Sequence, residues 1–323
     1  MTGYYFLSLT LLATCCSFVL CDFYKNVPLT KSRPFSDEQI KNQLDHVHLT
    51  YKNIPVITPE TFHRLSPVKK LEVEFCNVKS IDEDSFRALE NLQKLSLKHN
   101  LLTEIPNGTF SATNIEELDL SDNQIEKIES GAFGYMPNLR SIKLKNNKIQ
   151  MYHNSWFELA PNLCFLNLEN NLMTALPTRI LGSRQAWTCN VDVIFSHNSL
   201  EEIDEEAFLN YKLNKLYLDH NKIRVLPKNV FSNAVQISHL KLNNNRLDCT
   251  LPEMSTVEKY DVNDNSCLFD LQGEKLETST PEASTTERVL RYYHQYQHQR
   301  DFLPPPFHPS MGRNRYNSFL RIG

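Results

Sequence analysis

Between residues 115 and 133 the chain reads IEELDLSDNQIEKIESGAF, and its apolar positions fit neither the 3.6-residue spacing of a helix nor the strict alternation of an isolated strand. Ile115, Leu118, Leu120 and Ile125 are spaced unevenly around Asn123, with Ile128 and Phe133 further on. Alternation holds across Leu118 and Leu120, which predicts a short strand there and a turn after it. The same string recurs. Aligned on Asn123, the copies fall at Lys52, Cys76, Asn100, Asn123, Asn147, Asn171, Asn198, Asn221 and Asn245, at intervals of 24, 24, 23, 24, 24, 27, 23 and 24 residues. Ten places after the aligned position stand Phe62, Phe86, Phe110, Phe133, Phe157, Leu181, Phe208 and Phe231. A unit of this length buries its apolar side only against the next copy, so the pattern predicts an α/β-type solenoid. Its concave face is a parallel β-sheet, and irregular loops or short helical turns form the convex side, where the phenylalanines stack.

The repeated asparagine has a structural task. Its amide offers two donors and an acceptor to backbone groups left unpaired where each strand turns. Cys76 and Lys52 replace it in the first two copies. At position 76 a buried, inert thiol is the simpler reading, and a bridge to another molecule is the alternative.

Composition narrows the function classes. The 323 residues carry a net charge of −4 and only 8 glycines. No Gly-rich phosphate loop, nucleophile elbow or H-E-x-x-H is present, so the sequence offers no catalytic residues and no cofactor. Residues 1–21 lack charged side chains and hold an apolar run broken by Ser8, Thr10, Thr14 and Ser17, which reads as a secretory signal peptide. No later stretch is long and apolar enough to span a bilayer. A secreted, extracellular chain is therefore expected.

Export would leave five cysteines, Cys76, Cys164, Cys189, Cys249 and Cys267, an odd number that requires one free or intermolecular thiol. Cys164 and Cys189 flank the one long interval and could approach across neighbouring copies, either bridged or as two buried thiols. Cys249 and Cys267 bracket a segment that would close over the last copy as a disulfide cap. The expected organisation is a signal peptide (1–21), an N-terminal cap or arm (22–43), nine repeats (44–248), a C-terminal disulfide cap (249–271), then a Ser/Thr/Pro linker and basic, mostly disordered tail (272–323). Asn107, in Asn-Gly-Thr on a return loop, is the candidate glycosylation site.

The L-x-x-L-x-L-x-x-N-x-L string resembles the extracellular leucine-rich repeat superfamily over residues 44–267, and so implies a horseshoe. Residues 71–86 (LEVEFCNVKSIDEDSF) and 243–249 (NNNRLDC) look like those of secreted arthropod repeat proteins, including the leucine-rich immune proteins of mosquitoes. This chain lacks their cysteine-rich segment and coiled coil, so their disulfide-linked dimerisation does not carry over. It also lacks the cysteines of the N-terminal cap common among extracellular relatives.

Side chains between the core positions face solvent on the inner sheet. The candidate ligand-binding residues there are Lys94, Lys98, His99, Glu117, Asp119, Asp122, Lys143, Lys145, Tyr217, His220, His239 and Lys241. Their charges run in bands, basic, acidic, then basic. Such banding suits a folded protein or a microbial-surface ligand, and suits nucleic acid poorly because phosphate wants an unbroken basic track. The competing view is that alternating charges merely keep the sheet soluble and neutralise neighbouring strands. His197, His220 and His239 lie on consecutive copies but in different columns, which reads as surface histidines and no metal site. The resemblance implies a recognition role, as in innate immunity. A structural or adhesive matrix component is the alternative.

Overall fold

The computed structural model describes residues 45–62, 65, 67–183, 189–248 and 250–266. Ten strands form one parallel sheet in sequence order: β1 (His46–Thr50), β2 (Lys70–Glu74), β3 (Lys94–Ser96), β4 (Glu117–Asp119), β5 (Ser141–Lys143), β6 (Phe165–Asn167), β7 (Val191–Ile194), β8 (Lys212–Tyr217), β9 (Gln236–Lys241) and β10 (Val257–Asp261). The pairing is in step, so that Val47, Leu71, Leu95, Leu118, Ile142, Leu166 and Val193 form one inward column. All seven are buried. A one-residue slip would turn this column to solvent, which is why the register is firmly set. The return path on the convex side is short. It contains three two-stranded pairings, such as Glu104–Ile105 with Lys127–Ile128, and a 3₁₀ turn over Asn154–Phe157.

The asparagines tie each turn to the one before. Asn147 Oδ1 accepts from the Ile125 amide at 3.0 Å, while its Nδ2 donates to the carbonyls of Leu120 and Leu144 at 3.1 and 3.0 Å. Asn100, Asn123, Asn171, Asn198, Asn221 and Asn245 repeat the arrangement. Cys76 keeps the donor half of it, its thiol pointing to the carbonyls of Leu49 and Glu74 at 3.4 and 3.2 Å. That thiol is buried and unbridged, and burial pushes its pKa up, so it has little thiolate character.

The ladder runs one turn beyond the nine copies read from the sequence. Asn265 accepts from the Leu247 amide and donates to the carbonyls of Leu242 and Val262, and β10 supplies the strand. Tyr260 and Val262 take the places of the leucines, and the interval to Asn265 is 20 residues, so the leucine pattern hides this turn. The expected Cys249–Cys267 bridge lies outside the described residues, as do the expected signal peptide, arm and tail, which fall before residue 45 and after residue 266.

Behind the sheet, Phe62, Phe86, Phe110, Phe133 and Phe157 stack with ring centroids 5.3–6.4 Å apart. The column resumes from Phe208 to Phe231 at 6.1 Å. Leu181 leaves the gap between Phe157 and Phe208, and tyrosines fill it. The Tyr152 hydroxyl donates to the Ile180 carbonyl, and the Tyr211 hydroxyl accepts from the Leu181 amide and donates to the Gly182 carbonyl. Gly182 is left-handed (φ +74°), and a Cβ there would sit 2.7 Å from the Glu158 Cα, so this bend requires glycine.

Cys164 and Cys189 are disulfide-bonded, with Cα atoms 5.9 Å apart, and so fasten the start of β7 to the turn before it. Cys189→Ser should lower stability by about 2–4 kcal/mol, because the unfolded chain regains the freedom the crosslink removed. Urea titrations would check this. Reductant should shift the midpoint of the wild-type protein further than that of the variant, which keeps only the expected Cys249–Cys267 bridge to lose.

Candidate functional site

The solvent side of the sheet carries two columns. The first is His46, Lys70, Lys94, Glu117, Ser141, Phe165, Asp192, Lys215 and His239, and the second runs His48, Glu72, Ser96, Asp119, Lys143, Asn167, Ile194, Tyr217 and Lys241. Neighbouring strands in a sheet lie about 4.8 Å apart, close enough for opposite charges to meet. They do meet. Lys94 Nζ is 2.6 Å from Glu117, Lys143 Nζ 3.5 Å from Asp119, Lys98 Nζ 3.5 Å from Asp122, and Lys145 Nζ 2.9 Å from Glu169. His99 Nδ1 also approaches Asp122, at 3.7 Å.

The charge bands read from the sequence are therefore pairs between adjacent turns, each half neutralising the other. The Glu117 carboxylate raises the Lys94 pKa, and Asp192 raises that of Lys215 in the same way. Exposed pairs of this kind contribute only about 0–1 kcal/mol each. The middle of the face is close to neutral.

The candidates at the far end are arranged differently. Lys241 lies over the Tyr217 ring, 4.3 Å from its centroid, in a cation–π contact. His239 stands between Lys215 and Lys259 in the first column, away from the column that holds His220.

A third column lines the rim where the strands end. Tyr51, Phe75, His99, Asp122, Asn146, Asn170, His197, His220, Asn244 and Asp264 all have φ between 54° and 57°. Each precedes the ladder position of its turn, where the chain must reverse sharply. Asn, Asp and His tolerate this left-handed geometry, whereas bulky side chains are rare there. The polar members interlock, with Asn146 Nδ2 donating to Asp122 at 2.6 Å and Asn170 Nδ2 to Asn146 at 2.8 Å.

Tyr51 and Phe75 are the exceptions. Their rings stack at 5.3 Å, and Phe75 stacks on His99 at 4.4 Å. Tyr51 is 79% exposed and Phe75 42%. Both lie on the face but outside the candidate set read from the sequence. Their position immediately before the ladder residue was the available signal.

Asn107 is exposed on the convex side, where its Oδ1 accepts from the Gly131 amide at 2.8 Å. A glycan on Nδ2 would leave that acceptor in place. No helix among the described residues is long and apolar enough to cross a membrane.

Stacked parallel turns, an asparagine ladder and a solvent-facing sheet define the class of repeat scaffold that presents a broad inner face. Residues 55–182 match the BspA type leucine rich repeat region in six copies, and residues 193–247 match the leucine rich repeat. The chain belongs to the leucine-rich repeat superfamily.

Podocan from Mus musculus is 27% identical over 231 residues, which are 69% of this chain and 33% of podocan. Among solved structures, TLR13 in complex with ssRNA13 superposes with a TM-score of 0.62 at 22% identity, covering 72% of this chain and 38% of that one. The Drosophila Toll–Spatzle complex gives 0.57 at 22% identity, with 73% and 35% covered. The chain thus spans about a third of podocan's length, and the structural likenesses establish the fold alone.

Proposed function

We propose that this protein is a secreted recognition protein that binds another protein or a microbial-surface component through its inner face, with the strongest contacts at the Tyr51–Phe75–His99 end of the rim. The carrying observation is that Tyr51 and Phe75 serve neither core nor backbone. A bulky residue in the left-handed region costs about 1–2 kcal/mol, their rings are exposed, and such local strain gathers at functional sites. Exposed aromatic anchors beside polar groups are the usual hot spots of protein interfaces. The paired charges of the middle strands then supply register and selectivity more than affinity.

The Toll–Spatzle relative is a complex named as a hub of development and innate immunity, which agrees with a protein ligand and an immune role. The TLR13 relative was solved with RNA. On this chain Lys94, Lys98, Lys143 and Lys145 are all committed to carboxylates, which argues against a phosphate track.

The test is Tyr51→Asn/Phe75→Asn, because Asn suits the left-handed backbone while deleting the aromatic surface. Partners captured from extracellular fluid by the full wild-type chain should bind the variant at least about tenfold more weakly. Its melting temperature should be equal or higher. Unchanged affinity with intact folding would sink this reading.

A further inference from the structure

The rim column places His197 and His220 on adjacent turns with their rings 4.1 Å apart and 10° from parallel. Asp219 precedes His220, and its Oδ2 lies 3.9 Å from His220 Nε2. The other carboxylate oxygen accepts from the buried Ser196 hydroxyl at 2.6 Å. One donor atom from each of His197, His220 and Asp219 lies within 4.8 Å of the other two. We infer that these three residues bind a divalent transition-metal ion, with zinc the best match, on the rim of the inner face.

Three features of the site support this. First, two imidazoles and a carboxylate are the donor set that zinc accepts in sites with an open position, and imidazole also suits copper and nickel. Second, both histidines have fixed left-handed backbones, φ 57° and 55°, so their Cβ atoms leave the sheet in the same direction one strand spacing apart. Third, the Ser196 hydrogen bond orients Asp219 from behind, as outer-shell partners of metal ligands do. On the next turn Asn244 Nδ2 lies 3.5 Å from His220 Nε2, a weak donor contact that the ion would displace.

Zinc–nitrogen bonds of about 2.0–2.1 Å place tetrahedral donors roughly 3.4 Å apart. The set must therefore close by up to roughly 1.5 Å, and the two rings, parallel in the metal-free protein, must turn out of their stack so that both in-plane nitrogen lone pairs meet at the ion, a rotation open to exposed side chains. His239, one turn further on, belongs to the first column of the sheet and takes no part.

With three protein donors, the ion keeps a position for water or for an imidazole or carboxylate on a bound partner. The site goes beyond the recognition reading and does not depend on it, since the ion needs no partner to bind.

The experiment titrates zinc into the metal-stripped full chain against a chromophoric chelator, with circular dichroism and melting of the metal-free variants as folding controls. The chain has 11 histidines, so weak background binding is set by the double variant His197→Gln/His220→Gln. The wild-type protein should take up one zinc that the double variant does not. Each of His197→Gln, His220→Gln and Asp219→Asn should weaken that site at least about tenfold, and His239→Gln should leave it unchanged. Competition by the wild-type protein no better than by the folded double variant overturns the site. So does a loss in His239→Gln equal to that in His220→Gln.

Discussion

Replacing Asn147 with alanine should destabilise the protein by about 3–5 kcal/mol, although no side-chain packing of any size is lost. The amide joins three backbone groups at 3.0–3.1 Å, the Ile125 amide and the carbonyls of Leu120 and Leu144. Each is buried where alanine offers no partner, and an unsatisfied buried polar group costs about 1–3 kcal/mol. Two of the three belong to the preceding turn, so the substitution also weakens the coupling between turns on which a solenoid's stability rests.

The replacement chemistry is informative. Asn147→Cys should cost less than alanine, because at position 76 a thiol already reaches two carbonyls. Asn147→Asp should cost most, because a carboxylate would face the Leu120 and Leu144 carbonyls. Urea unfolding should rank the three, and hydrogen exchange should show protection lost at the Ile125 amide. A cost below about 1 kcal/mol for alanine would show that water replaces the amide and that the ladder is not a main source of coupling.

Phe133→Ala should cost a comparable amount, about 3–5 kcal/mol, through the opposite physics. Phe133 is fully buried between Phe110 and Phe157, whose ring centroids lie 6.0 and 5.3 Å away, and stands perpendicular to Trp156 at 6.3 Å between centroids. Those neighbours are each fixed in their own turn by strand and ladder. The cavity therefore cannot collapse, and the cost falls at the high end for its chemistry. Phe133→Leu should be milder, although not free. Where the chain itself uses leucine, at Leu181, Tyr152 and Tyr211 close in and bond the backbone of residues 180–182. No such tyrosine pair serves Phe133. The urea midpoints of the two variants against wild type check the order.

These two positions were legible in the sequence, as were the inward columns, because each repeats at a fixed place in nearly every copy. The tenth turn was not, because Tyr260 and Val262 break the leucine spelling while Asn265 keeps the hydrogen bonds. The tyrosines that mend the Phe column at Leu181 were also hidden, since they come from turns 28 to 30 residues away and repeat nowhere else.

On the inner face the sequence turned these side chains toward solvent and left open which of them meet. Lys94 and Glu117 read as members of opposing bands, and the sheet makes them partners. His197 and His220 read as surface histidines on consecutive copies, and the shared left-handed rim stacks them beside Asp219.

The sequence by itself determined the scaffold, because a repeating pattern of buried leucines, asparagines and phenylalanines can be satisfied only by stacking copies. Only the tertiary structure decided how the exposed residues act on one another. Their interactions join residues some 23 or 24 positions apart across neighbouring strands, and burial imposes no pattern on them. Charge pairing, aromatic stacking and the His197–Asp219–His220 cluster therefore appear only once the register and the left-handed rim bring those side chains together.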